Sequence, residues 1–196
     1  MNKSKTDIDL WEQTRSGDKE AFEALFKSYY PFLLNYGLKY TADQNLLEDC
    51  IQELFIGFWE KAPATEIQFF RAYLFQSFRF SMYRHLQKNN QLKKLGLTTM
   101  DDTGFTLSHE HFLISSEEST IQSTRLQNAI SKLSKRQQEI IYLRFYQNMD
   151  YEEICVVMQI NYQVSRNLLY QAIKALKTEL SVSSLFPFIW WLSRGN

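Results

Sequence analysis

Three clusters in this 196-residue chain combine side-chain types and spacings suited to binding something charged. The first lies in DYEEICVVMQINYQVSRNLLYQAIKAL, residues Asp150–Leu176. If Ile154, Met158, Ile160, Val164, Leu168 and Leu169 pack two short helices together, then Tyr162, Gln163, Ser165, Arg166, Asn167, Tyr170 and Gln171 fall on the outer side. A guanidinium at Arg166 suits a guanine edge, and a carboxamide at Asn167 or Gln163 suits an adenine edge. Tyr170, Lys174 and Lys177, further along, suit phosphates. The second cluster is FFRAYLFQSFRFSMYRHLQK and its surroundings: from Ile67 to Met100 there is no Asp or Glu. Phe69, Phe70, Tyr73, Phe75, Phe78, Phe80 and Tyr83 cannot all face one core. Leu74, Phe78 and Met82, with Phe75 or Leu86, make a sufficient buried stripe. The other rings are left beside Arg71, Arg79, Arg84, Lys88, Lys93 and Lys94. Rings among cations are the chemistry of unpaired nucleic acid, in which each base stacks for about 1–3 kcal/mol while cations follow the phosphates. The third cluster, LEDCIQELFIGFWEK, puts Asp49, Gln52, Glu53 and Glu60 on one polar face with Trp59 near its end, a composition suited to docking a protein.

Catalytic groupings are poor. His109-Glu110-His111 has no third metal ligand at useful spacing. Asp101-Asp102 beside Gly104 carries no sign of a pocket-held carboxylate pair. Cys50 and Cys155 are far apart, and no Gly-rich loop is present to cradle a phosphate. Binding without cofactor, metal or catalysis is the expectation.

The elements that must position these clusters are helical, and the predicted fold is all-α: two small helical domains joined by a flexible acidic linker. Asp18 and Asp43 are predicted N-caps, each ahead of apolar residues at helical spacing. Pro31 should kink or restart the first of these helices. A third helix is expected from about Phe69 to Lys88. The domain bounds are 1–92, a linker over 93–120, a helix-turn-helix domain over 121–180, and an apolar tail over 181–196. In the second domain Ser134 with Gln137, and Asp150 with Glu153, fit capping boxes. Asn161 then caps a final helix. Net charge is zero overall but segregated, at −5 over residues 1–66, +6 over 67–100, −5 over 101–124 and +4 over 125–178. Basic blocks suit polyanions, and acidic blocks suit a basic protein surface or mask a basic neighbour. The N-terminus has no apolar signal region, and no apolar run is long enough to span a bilayer. The expected location is the cytoplasm.

Taken in order, GDKEAFEALFKSYYPFL, LLEDCIQELFIGFWEK, FFRAYLFQSFRFSMYRHL and LSKRQQEIIYLRFYQNMDYEEI with the last helix resemble the extracytoplasmic-function sigma factors of bacterial RNA polymerase, in the style of Bacteroidetes members. The resemblance runs from about Asp9 to Leu180. It implies that the first domain binds and melts the promoter −10 element through Phe69, Arg71, Tyr73, Gln76, Arg79, Phe80, Tyr83, Arg84 and Lys88. It implies that Asp49, Gln52, Glu53, Phe55 and Trp59 dock on the clamp helices of the largest polymerase subunit. The second domain would read the −35 element through Tyr162, Gln163, Ser165, Arg166, Asn167, Tyr170, Gln171 and Lys174, near the polymerase flap. Promoter DNA, core polymerase and an anti-sigma factor are the implied partners. The family usually carries Asn at the position of Phe80, Gly at that of Gln159, and an apolar residue at that of Ser165.

The same residues also fit a helix-turn-helix regulator that acts on duplex DNA without core polymerase. A helical adaptor whose basic face docks an acidic protein is a third reading.

Overall fold

The computed structural model describes residues 3–61, 67–88, 104–107 and 117–180. Apart from Val156–Met158, Met1–Met100 and Asp101–Asn196 form two separate compact units. Among the described residues every regular element is helical.

The first unit holds α1 (Lys3–Arg15), α2 (Lys19–Gly37), α3 (Gln44–Glu60) and α4 (Phe70–Lys88). Asp18 starts α2 by accepting from the Glu20 and Ala21 amides, and Asp43 starts α3 by accepting from Leu46. Both caps satisfy amide groups that an opening helix leaves without partners. α2 runs unbroken through Pro31. Its buried residues Leu25, Tyr29, Leu33 and Tyr36 hold it from the other side, while Pro31 faces solvent. The expected restart is therefore absent. α1 has no counterpart in the sequence reading. It buries Asp7, Trp11 and Thr14, one helical turn apart, and Trp11 stacks on Phe70 with centroids 5.2 Å apart. Tyr29 donates a hydrogen bond to the buried Asp7, tying α2 to α1. The core between the helices is aromatic: Tyr36 meets Phe75 at 5.2 Å and Phe78 at 6.5 Å. Gly37 permits this approach, because a Cβ there would lie 2.6 Å from Leu47 Cδ2 and 3.0 Å from Phe78 Cζ.

The second unit holds α5 (Glu117–Ser131), α6 (Lys135–Ile141) with a π-helical extension over Tyr142–Tyr146, α7 (Tyr151–Met158) and α8 (Tyr162–Glu179). Ser134 and Gln137 close one capping box and Asp150 and Glu153 another. The π extension ends at Tyr146, and Asn148, two residues on, takes a left-handed φ of 50°. There Met149 N donates to Leu143 O, and Arg144 Nη1 donates to Met149 O at 2.7 Å. Residues 104–107, expected to be linker, belong to this unit. Phe105 and Leu107 are buried, with Phe105 edge-on to Tyr142 at 5.7 Å. Leu107 N donates to Oε1 of the buried Gln138, whose Nε2 donates back to Leu133 O. Most of the expected linker, and the apolar tail, lie outside the described residues.

Candidate nucleic-acid and protein interfaces

Between α3 and α4 of the first unit lies a groove of about 570 Å³. Tyr73, Ser77, Phe80, Ser81 and Arg84 line it from α4, and Glu53, Leu54, Gly57 and Phe58 from α3, with Lys61 just beyond. Helical spacing explains the α4 side: residues 73, 77, 80, 81 and 84 recur at three- and four-residue steps and so share a face. Tyr73 stacks on Phe58 with centroids 5.6 Å apart and planes inclined by 22°. The groove thus has an aromatic floor, a guanidinium and an ammonium on its rim, and one carboxylate from α3. A planar, negatively charged ligand has both a stacking partner and counter-charges there.

Of the nine residues expected to hold a melted strand, the structure brings Tyr73, Phe80 and Arg84 together in this groove. Phe69, Arg71, Gln76 and Tyr83 are half-buried, and Tyr83 Oη accepts from Gln87. Arg79 is removed from the set. It is 4% exposed, and its Nε donates to Tyr40 Oη, which is itself 2.9 Å from Tyr36 Oη. Phe75, Arg79, Met82 and Leu86 are spaced four, three and four apart, so Arg79 lies within the buried seam. Phe70, Phe75 and Phe78 are core as well. The Lys88 side chain lies outside the described residues, as do Lys93 and Lys94.

On α3, Asp49, Gln52, Glu53, Trp59 and Glu60 are exposed as expected. Phe55 belongs to the buried stripe of the helix, as its spacing with Ile51 and Phe58 implies: it is 3% exposed, with Phe26 at 5.0 Å and Phe22 at 6.0 Å. It supports this exposed face from beneath. Ile56, 55% exposed, is the apolar member of that face that the sequence reading missed. An exposed apolar residue between Gln52 and Glu60 was the available signal.

Cys50, His85 and Glu53 approach one another in a way that invites a catalytic reading, and the geometry argues against it. His85 Nδ1 donates to Ser81 O at 3.0 Å, so it cannot also take a proton from Cys50 Sγ at 3.4 Å. Burial pushes the Cys50 thiol up to about 11, leaving no thiolate near neutral pH. His85 Nε2 lies 3.5 Å from Glu53 Oε2 and links α4 to α3. Among the described residues no three His, Cys, Asp or Glu side chains are placed to hold a metal.

In the second unit α7, a short turn and α8 form a helix-turn-helix. Gln159 supplies the turn at φ 53°, and Ile160 N donates to Cys155 O across it. A glycine adopts that conformation without the steric cost a side chain meets. Asn161 caps α8 by accepting from Val164 N at 2.8 Å. Tyr151 meets Tyr162 at 5.6 Å, bracing the two helices at their outer edge. Tyr162, Gln163, Arg166, Asn167, Tyr170, Gln171 and Lys174 are all exposed. Arg166 sits over the Tyr162 ring, 6.0 Å from its centroid. Ser165 is a correction: it is fully buried, whereas Val164, expected inside, is 42% exposed. Ser165, Leu169, Ala172 and Leu176 are the buried residues of α8, spaced four, three and four. The Ser165 hydroxyl has no hydrogen bond of normal geometry, only a weak interaction with the Cys155 thiol. That thiol is pushed up, chiefly by burial.

Comparison with known proteins places family models on both units. Sigma-70 region 2 matches residues 25–91, and Sigma-70 region 4 matches residues 123–176. Comparison with curated proteins finds no significant match. Among solved structures, the chain is similar to CnrH in complex with the cytosolic domain of CnrY. The TM-score is 0.58 and the identity 18%, over 88% of this chain and 95% of that one. It is also similar to the sigma factor RpoE in complex with the anti-sigma factor NepR from Bartonella quintana. There the TM-score is 0.55 and the identity 18%, over 82% of this chain and 97% of that one. At that identity the two structures support the fold.

Proposed function

The chain belongs to the sigma-70 family, carrying region 2 and region 4, and from that membership we propose how its surfaces divide the work of starting transcription. It is a sigma factor of the extracytoplasmic-function type, which binds core RNA polymerase and directs initiation at particular promoters. The exposed face of α3, acidic with Ile56 and Trp59 in its midst, docks on polymerase. The α3–α4 groove takes unpaired bases of the −10 element, stacking them near Tyr73 and Phe80 with Arg84 and Lys61 on the phosphates. α8 enters the major groove of the −35 element, a helix-turn-helix placing base-contacting residues in the first turns of its second helix.

The observation that carries the reading is the coexistence of two surfaces in one chain. Over Tyr162–Lys174 α8 leaves seven polar or aromatic side chains exposed, and the acid-free α4 presents two rings and a guanidinium in a groove. A duplex-only regulator would need the first surface and not the second. The protein works by binding and not by catalysis, and it works in the cytoplasm. Because CnrH and RpoE were each captured with a second protein, we also propose that an anti-sigma factor holds this chain inactive by covering these surfaces.

The test is run-off transcription with purified components on promoters located by mapping start sites after overexpression. Core polymerase plus this chain should give discrete transcripts that neither gives alone. Duplex binding by the chain with no association to core polymerase would overturn the proposal in favour of a conventional regulator.

A further inference from the structure

The start of α8 exposes an apolar side chain beside two carboxamides. Val164 is 42% exposed, while the neighbouring Ser165 occupies the buried position. Gln163 Nε2 donates to Asn167 Oδ1 at 3.0 Å. That bond decides which polar atoms face outward. Asn167 turns its oxygen toward Gln163, so its amide nitrogen is directed away from that bond to donate elsewhere. Gln163 turns its nitrogen toward Asn167, so its Oε1 is directed away to accept. At about 100° per residue, Asn167 lies about 40° and Val164 about 100° round the helix from Gln163. Across the exposed face the order is therefore methyl groups, donor, acceptor.

The major-groove edge of a T·A pair presents the thymine C5-methyl, the O4 acceptor and the adenine N6 donor, in that order. A G·C pair has no methyl, and an A·T pair presents the same groups reversed. We propose that Val164, Asn167 and Gln163 together select one T·A pair in the duplex promoter element, with thymine on the Val164 side. The inference rests on the DNA-reading role given to α8 above, and it assigns that role a particular base pair. The Gln163–Asn167 bond supplies the orientation in advance, so the two amides lose little freedom on binding.

The test uses holoenzyme assembled from core polymerase and the full chain, selecting from promoter fragments randomised across the upstream element. One position should emerge as T·A. Replacing that thymine with deoxyuridine deletes only the methyl group and should weaken wild-type binding about fourfold, the weight of one buried methyl. Val164→Ala holoenzyme should bind the thymine and deoxyuridine fragments alike. Asn167→Ala should lower preference for the T·A pair about tenfold or more. Equal thymine-to-deoxyuridine losses for wild type and Val164→Ala would overturn the assignment. So would a selected element with no T·A position that responds to either variant, and both results would leave the sigma-factor reading standing. Selection of no element at all would overturn that reading and this inference with it.

Discussion

Two glycines in the first unit should respond to the same substitution with opposite signs. Gly37 closes α2 between Leu47 of α3 and Phe78 of α4, and a Cβ built there meets Leu47 Cδ2 at 2.6 Å and Phe78 Cζ at 3.0 Å. Carbon pairs are at ease near 3.5–4.0 Å, so the first contact is about 1 Å too close. Leu47 and Phe78 are both fully buried, so neither can give way into solvent. Overpacking of this kind typically costs about 1–3 kcal/mol. Alanine's advantage over glycine in a helix offsets part of it, at most about 0.5–1 kcal/mol and less at a helix end. Gly37→Ala should therefore lose about 1–2 kcal/mol. Gly57 lies inside α3 with no atom within 4 Å of its would-be Cβ. Gly57→Ala should gain about 0.5–1 kcal/mol from helix propensity alone. The chain has two units and need not unfold in one step, so the readout must belong to the first unit. Hydrogen exchange of the α3 amides along a urea series reports it. With an m-value near 2 kcal/mol/M, the two variants should differ by on the order of 1 M in midpoint. A neutral or stabilising Gly37→Ala, or a destabilising Gly57→Ala, would refute the packing argument.

Arg79→Ala should destabilise the first unit by about 2–4 kcal/mol, since it removes a buried side chain and its bond to Tyr40. Arg84→Ala, on the exposed groove rim, should leave the urea midpoint within about 0.5 kcal/mol of wild type while reducing open-complex formation in permanganate footprinting. Gln159→Gly should raise the stability of the second unit by about 0.5–1 kcal/mol, because relief of the left-handed strain outweighs glycine's extra freedom when unfolded. Its promoter selection should be unchanged, and a loss of stability would show that the Gln159 side chain matters more than its backbone. Burial raises Cys50 to about 11 from 9.0 and Tyr142 to about 12 from 10.0. Raised values contribute stability below the unfolded pKa and lose it as pH climbs through the folded one. Stability should therefore hold to about pH 9 and fall between there and about pH 12, and the Cys50 thiol should resist alkylation at pH 8 unless urea is added. Rapid native labelling would contradict its burial.

Much of this was legible from residue order. Asp18, Asp43, Ser134 with Gln137, Asp150 with Glu153, and Asn161 all cap the helices that follow, because each capping bond is closed within three or four residues of one chain segment. The helix-turn-helix and the aromatic, acid-free character of α4 were local in the same sense. α1 escaped notice because its buried positions include Asp7 and Thr14, and the carboxylate is acceptable there only once Tyr29 from α2 reaches it. Residues 104–107 read as linker because two apolar side chains show no periodicity, and only the pocket beside Tyr142 and Gln138 gives them a place.

What the sequence determined is which side chains share a face of each helix, since a 3.6-residue period is set by the backbone alone. Where that face ends was decided by the tertiary structure. Arg79 and Ser165 both lie on seams spaced four, three and four, yet their polar chemistry suggested solvent. Tyr40 draws the first inward, and Ser165 is turned in toward Cys155 of α7 while Val164 is left out. A polar residue at the edge of an apolar stripe is buried or exposed according to what the neighbouring helix brings to it, and that neighbour comes from elsewhere in the chain.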